Sequence, residues 1–280
     1  AGQLVLPWLT GVDDYKVGFR NDGVTPKHKA CRKLYNQMKS PVGERARALQ
    51  YDLRRMAVGL LGCRGSCQEF AGQDEHVYGV TRHTPLFDIK DVQIDDAILH
   101  FRCGDLMNSE EPRYGFLKFA SYANHLSPAV KSIGIATEPF GGAGQQRDAD
   151  TDPIAQERCR IVVNAMKDYI QHRFPESVVQ IRNSQKESVG LTYARMILAN
   201  QTFVGLSTFG FFPAIACFGQ ALIRRPSRRN LGAWLLLAKE MIDSNIKFVD
   251  EDDWLPVAQV KLRWGEDGRE ILEWFRSNTT

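Results

Sequence analysis

The sequence predicts an α/β protein organised around a doubly wound parallel sheet. From about residue 93 onwards, short apolar segments with strand character alternate with segments of helical periodicity. The strand segments are almost uniformly apolar, as expected for strands that helices cover on both faces. In such sheets ligands bind beyond the carboxyl ends of the strands. The residues that directly follow each strand are therefore the candidates for function.

The first third of the chain follows a different pattern. Apolar residues recur at intervals of three and four over residues 25–61 and predict helix, whereas the Gly-rich and aromatic segment 62–88 predicts loops. We therefore expect a smaller helical and loop-rich region at 1–92 and a sheet domain at 93–280.

The elements of the sheet domain follow in order. Five apolar segments are predicted as strands, at 96–101, 132–136, 177–182, 202–206 and 221–223. The segments between them are predicted as helices, at 116–125, 153–173, 191–199 and 213–218. A late strand at 247–249 and a closing helix at 269–276 complete the domain.

The composition is that of a folded globular protein. Hydrophobic residues make up 43% and charged residues 25% of the 280 residues, and the net charge is +3. These values exclude collagen-like, low-complexity and disordered proteins. The basic cluster at 224–229 has no interleaved aromatic residues, so we expect no nucleic-acid partner. A solvated loop is predicted there, with a phosphate or an anionic surface as the alternative.

One uncharged stretch, 196–223, is long enough to span a bilayer. It also contains Gly, Pro, Asn and Gln residues that interrupt such a span. We predict a buried strand, a turn, a short helix and a second strand at this place, and no membrane span.

The six cysteines are too few for a disulfide scaffold, and Cys63 and Cys67 have no second pair or histidine at zinc spacing. These two form either a local disulfide or two ordinary thiols.

The chain begins Ala1-Gly2 and carries glycosylation sequons at Asn200 and Asn278. The compartment stays open: the Golgi or secretory lumen if an N-terminal anchor was removed, and the cytoplasm otherwise.

Polar residues follow the first predicted strand, in the segment His100-Phe101-Arg102-Cys103-Gly104-Asp105. His100 and Arg102 lie on one face, because side chains alternate along a strand. Gly104 permits a tight turn that brings Asp105 to the same cleft. An arginine at such a strand end suits an anionic ligand. The alternative is that Arg102 forms an ion pair with Asp105 or a nearby glutamate, and that this ion pair only stabilises the turn.

The fourth predicted strand is followed by Ser207-Thr208-Phe209-Gly210-Phe211-Phe212. Ser207 or Thr208 can cap the next helix, and the backbone N–H groups at a helix start bind phosphate readily. Plain helix capping is the alternative use of these hydroxyls.

Together, the two segments resemble the paired donor-site motifs of the fucosyltransferase superfamily. The resemblance covers about residues 95–225 and extends to fungal, algal and algal-virus fucosyl- and xylosyltransferases. It implies a GT-B-like fold with a Rossmann-like half that binds a nucleotide sugar. Residues 1–92 lie outside the resemblance, and we expect the acceptor pocket there. The resemblance also implies that Arg102, with His100 and Gly104 in the same motif, binds the donor at its β-phosphate. By the same resemblance Ser207, Thr208 and Phe209 hold the diphosphate.

Two departures from the family pattern bear on the donor. Cys103 stands where many of these enzymes have a second arginine, and Gly210-Phe211-Phe212 stands where they often have serine followed by tryptophan. We expect transfer of L-fucose from GDP-fucose to a glycan or glycoprotein acceptor. A xylosyltransferase that uses UDP-xylose is the alternative.

A third loop follows the strand at 177–182 and is predicted to overlook the same cleft. Arg182 and Asn183 are candidates for contacts with the nucleotide, and Glu187 for a base or for holding the ribose. The alternative is a solvated connection with Glu187 near a helix start. Arg195, on the next helix, is predicted to be structural.

Residues 148–152 contain two overlapping D-x-D triplets, a pattern that holds a divalent metal in other glycosyltransferases. Here they precede a predicted helix, where aspartate caps the first turn. We therefore expect a helix start, no metal and no other cofactor.

The predicted activity is a metal-independent glycosyl transfer. Arg102 and the helix start after Ser207 stabilise the departing diphosphate. Asp105 or Glu187 takes the proton of the acceptor hydroxyl if the reaction inverts, and Asp105 comes first because it lies close to Arg102. A non-catalytic nucleotide- or glycan-binding protein and a metal-dependent transferase built on 148–152 are the alternatives. A hydrolase is not expected, since no G-x-S-x-G segment occurs.

Overall fold

The computed structural model is an α/β protein with a six-stranded parallel sheet flanked by helices. The structure describes residues 50–51, 53–58, 94–110, 114–137, 152–183, 189–205, 208–224, 246–249 and 254–277. The sheet confirms the predicted α/β class and is compatible with a Rossmann-like fold. The predicted loops at 62–88, with Cys63 and Cys67, lie outside the described residues, as does most of the predicted helix at 25–61.

The strands and helices have the following bounds. The parallel sheet contains β1 (Ala97–His100), β3 (Ser132–Ala136), β4 (Val178–Arg182), β5 (Gln201–Val204), β6 (Gln220–Arg224) and β7 (Ile246–Val249). Two short strands, β2 (Gly115–Leu117) and β8 (Trp254–Pro256), pair antiparallel to form a separate two-stranded sheet, which we call the ribbon. The helices are α1 (50–58, without residue 52), α2 (Phe119–Ala123), α3 (Pro153–Arg173), α4 (Val189–Leu198), α5 (Thr208–Ala216), α6 (Val257–Arg263) and α7 (Arg269–Arg276).

The strand order brings the ends of β1 and β5 together. The order is β4-β3-β1-β5-β6-β7, so the chain winds outward from β1 in one direction and then from β5 in the other. In the parallel register His100 is aligned with Ala136 on one side and with Val204 on the other. The boundary between β1 and β5 is therefore the topological switch point, beyond which a ligand crevice forms in such sheets.

Each face of the sheet has its own apolar core. One core joins the sheet to α2, α3, α6 and α7, and its largest fully buried side chains are the aromatic residues Phe101, Phe119, Phe203 and Phe275. The other core joins the sheet to α1, α4 and α5. Burying large apolar side chains on both faces is the main stabilising contribution in a domain of this kind.

Helix α1 is fixed to the carboxyl end of α5. Leu53 and Ala57 are buried in the second core. Gln50 Nε2 donates to the carbonyl of Ile215 at 2.7 Å, and the Arg54 guanidinium donates to the carbonyls of Ala216 and Cys217 at 3.0 and 2.9 Å. These bonds satisfy carbonyl groups that a helix end otherwise leaves without partners.

Most predicted elements are confirmed, and two are corrected. The predicted helices at 153–173 and 269–276 have these bounds in the structure. The helix predicted at 116–125 is shorter, because Gly115–Leu117 pairs with β8. The helix predicted at 213–218 begins at Thr208, so Pro213 lies inside it, and the burial of Phe211 and Ile215 keeps the helix in place.

The uncharged stretch 196–223 folds as predicted, with β5, α5 and β6 following the end of α4. Among the described helices, none combines the length and the apolar character that a membrane crossing requires.

Candidate functional site

The two motif segments predicted from the sequence meet at the switch point between β1 and β5. His100 is the last residue of β1, and Phe209 lies in the first turn of α5. Their rings stack, with centroids 5.4 Å apart and planes inclined by 18°. Phe209 also contacts the Tyr193 ring edge-on at 4.8 Å. The end of β1 and the start of α5 are therefore in direct side-chain contact.

His100 is a buried, neutral histidine. Its side chain is 5% exposed, and burial, together with the positive charge of Arg102, lowers its pKa from 6.5 to about 3. Its Nδ1 has no hydrogen-bond partner within the described part of the chain. A Cβ added to Gly210 would lie 2.8 Å from this nitrogen and 2.5 Å from Val204 Cγ1. Gly210 is thus required for α5 to approach the strand so closely.

Arg102 follows β1 in a tightly held loop. Its guanidinium carbon lies 4.8 Å from the centroid of the Tyr114 ring, at cation–π distance. Gly104 has a φ of 42° and starts a short 3-10 helix, Gly104–Asn108. This positive φ is the reason for a glycine at the turn. Asp105 lies in that turn, but its side chain is outside the described part of the structure.

A disulfide joins this loop to α3. Cys103 bonds to Cys159, and the hydroxyl of Thr137 lies 3.3 Å from Cys103 Sγ. Both cysteines are buried. This disulfide was not predicted from the sequence, because its cysteines are 56 residues apart. Only the closely spaced Cys63 and Cys67 suggested a pair. The disulfide holds Cys103, the residue after Arg102, against α3.

No model of a known protein family matches the chain, and no curated protein sequence matches it. Function is therefore inferred from the residues and their geometry.

Helix α5 begins at the site with Thr208. The first backbone N–H groups of an α-helix have no partner within the helix, and they carry the positive end of its dipole. The Thr208 side chain and the whole of Ser207 lie outside the described part of the structure. Their predicted contacts with a diphosphate stay predictions.

Arg182 lies at the end of β4, but its guanidinium turns back across the sheet. It donates two hydrogen bonds to the carboxylate of Asp95, one of them from Nε to Oδ2 at 2.9 Å. Arg195 approaches the same carboxylate at 3.7 Å. The three side chains are 13%, 1% and 4% exposed for Arg182, Asp95 and Arg195. This buried ion pair matches the structural role predicted for Arg195.

The ion pair between Arg182 and Asp95 packs directly against the backbone of Gly134, in β3. A Cβ on Gly134 would lie 2.6 Å from Asp95 Oδ2 and 3.1 Å from Arg182 Cγ. We therefore leave Arg182 out of the site proposed below. Asn183 follows it and is partly exposed, and the predicted contribution of Glu187 lies outside the described residues.

Asp152 acts as a helix cap. Its carboxylate accepts a hydrogen bond from the backbone N–H of Ile154 at 2.8 Å and another from the Asn108 amide. The prediction of a helix start is confirmed for this residue, while Asp148 and Asp150 lie outside the described residues. Within the described ranges, no group of three or more His, Cys, Asp or Glu residues is arranged to hold a metal ion.

Proposed function

We propose that the protein is a glycosyltransferase that transfers a sugar from a nucleotide-sugar donor to a glycan acceptor. The observation that carries the proposal is the contact between the end of β1 and the start of α5 at the switch point, where the rings of His100 and Phe209 stack, with Arg102 two residues after His100. A guanidinium and a helix N-terminus are two complementary groups for a diphosphate. The resemblance of these segments to donor-site motifs supports the same ligand.

The chemistry of this site is electrostatic. When the bond between sugar and diphosphate breaks, negative charge grows on the departing phosphate oxygens. Arg102 donates charge-assisted hydrogen bonds to these oxygens, and the N–H groups at the start of α5 donate to them as well. In this scheme Arg102 supplies positive charge that a divalent cation supplies in metal-dependent transferases.

His100 has a packing role in this scheme. A histidine with a pKa of about 3 is a weak base at neutral pH and carries no charge with which to bind phosphate. Its flat ring supports Phe209 and so holds the start of α5 against the end of β1. The base that accepts the proton of the acceptor hydroxyl is proposed to be Asp105, with Glu187 as the alternative.

Two donors are proposed, GDP-fucose first and UDP-xylose as the alternative. A thermal-shift screen with GDP, UDP and the two nucleotide sugars, with and without EDTA, distinguishes them. A ligand present at one hundred times its dissociation constant raises the unfolding free energy by about 2.7 kcal/mol, which such a screen detects. Stabilisation by GDP favours fucose, and stabilisation by UDP favours xylose. No response to any nucleotide would contradict the proposal.

The role proposed for Arg102 is tested with the variant Arg102→Ala. It is expected to abolish nearly all sugar transfer and most of the stabilisation by nucleoside diphosphate, while the protein remains folded. Arg160→Ala is a matched control, because Arg160 lies exposed on α3 and pairs with Glu157 of the same helix. Transfer by Arg102→Ala at a rate near that of the control would refute the assigned role. Nucleotide binding without turnover on any acceptor would favour a binding protein.

A further inference from the structure

The ribbon brings an aromatic ring to Arg102. Tyr114 directly precedes β2, and its carbonyl accepts a hydrogen bond from the backbone N–H of Val257 at 3.1 Å. The next residue, Gly115, pairs with Pro256 in the antiparallel register. The backbone that carries the Tyr114 ring is therefore held at two successive residues by the neighbouring segment of Pro256 and Val257.

The backbone of Arg102 is fixed as well. The N–H of Phe101, on one side, donates to the carbonyl of Ala136 at 2.9 Å, and Cys103, on the other, is crosslinked to α3. Both the ring and the arginine thus start from fixed backbones. What remains to be set is the orientation of the long Arg102 side chain, and the Tyr114 ring lies at 4.8 Å from its guanidinium carbon.

A guanidinium held against an aromatic ring keeps its in-plane N–H groups available for oxyanions. Holding the side chain in advance also reduces the rotamer entropy that is lost when a ligand binds. We propose that Tyr114 is a positioning residue, whose ring orients Arg102 for contact with the diphosphate of a nucleotide ligand. This inference rests on the function proposed above.

The same ribbon carries a second contact of this kind. The guanidinium carbon of Arg224, at the end of β6, lies 3.9 Å from the centroid of the Trp254 ring on β8. β6 is separated from β1 only by β5. Tyr114, directly before β2, and Trp254, in β8, thus each place an aromatic ring on an arginine near the carboxyl edge of the sheet.

The test compares Tyr114→Leu and Tyr114→Phe with Phe116→Leu. Phenylalanine keeps the aromatic face, and leucine removes it. Phe116 lies two residues after Tyr114, in β2, and packs on Phe101 and Phe275, so its variant controls for a loosened ribbon. Dissociation constants are measured by calorimetry for GDP and UDP, and for guanosine and uridine, which lack the phosphates.

Tyr114→Leu is expected to weaken diphosphate binding by about three- to tenfold. Binding of the matching nucleoside should not change. Tyr114→Phe and Phe116→Leu should keep the wild-type ratio of the two affinities, although Phe116→Leu lowers the melting temperature. In the background of Arg102→Ala, Tyr114→Leu should have no additional effect.

Other outcomes overturn the inference. They are an unchanged diphosphate affinity in Tyr114→Leu, an equal loss for nucleoside and diphosphate, or the same loss in Phe116→Leu. A wild-type protein that binds neither GDP nor UDP contradicts the proposed function itself, and this inference with it. The wild-type measurement therefore separates the two failures.

Discussion

Removing the disulfide between Cys103 and Cys159 is expected to lower the free energy of unfolding by about 4 kcal/mol. The crosslink joins residues 56 positions apart. In the chain-entropy treatment, closing a loop of that length removes about 14 cal/mol/K from the unfolded chain, which gives the stated value at 25 °C. Both cysteines are buried, and replacing them by alanine removes only the sulfur atoms.

The assay is urea unfolding of the double variant Cys103→Ala/Cys159→Ala, followed by tryptophan fluorescence without reductant. Wild type treated with dithiothreitol should approach the stability of the double variant. Cys217→Ala is the matched control, since Cys217 is a buried free cysteine, and its variant should keep the full response to the reductant. A double variant as stable as oxidised wild type would refute the reasoning. So would a response to dithiothreitol that persists undiminished in the double variant.

Two further predictions concern buried charge. Asp95→Asn leaves Arg182 and Arg195 buried without their carboxylate and should destabilise the protein by about 3–5 kcal/mol. The exposed pair is the control: Glu157→Gln should have a much smaller effect, and equal losses in urea unfolding would count against this explanation. The second prediction follows from the lowered pKa of His100. Unfolded His100 binds a proton below pH 6.5, and the folded protein does so only near pH 3, so stability falls as the pH falls through this window. Between pH 7 and 5 the loss from this group is about 2 kcal/mol. His100→Gln should lack this component, and an unchanged pH dependence in the variant would argue against a depressed pKa.

The parallel sheet was predictable because its central strands, such as β1 and β3, are buried and mostly apolar segments. Burial on both faces leaves little choice of residue at positions such as Ile98 and Ile133, and this uniformity is visible in the sequence. The ribbon left no comparable signal. Its strands have three residues each and are far apart in the chain, so no periodicity marks them. Helix α6 has only seven residues and follows the ribbon directly.

The meeting of the two motifs was predictable from the rule that parallel strands end at one edge. The orientation of Arg182 was not. Alternation along a strand places a residue on a face, but a long side chain then turns toward the nearest opposite charge, and Asp95 lies before the start of β1. Asp95, Tyr114, Tyr193 and Cys159 were missed for the same reason, because each acts through a contact between distant parts of the chain.

The hydrogen bonds from α1 to the end of α5 bear on whether the sheet domain can be expressed as a separate fragment. A fragment that begins at residue 93 would lack Gln50 and Arg54, and the carbonyls of residues 215–217 would lose the side-chain donors that these two provide. It would also uncover the apolar surface against which Leu53 and Ala57 pack. Expressed alone, the sheet domain would therefore present an open apolar face beside α5. The two regions read from the sequence are thus better produced as one polypeptide.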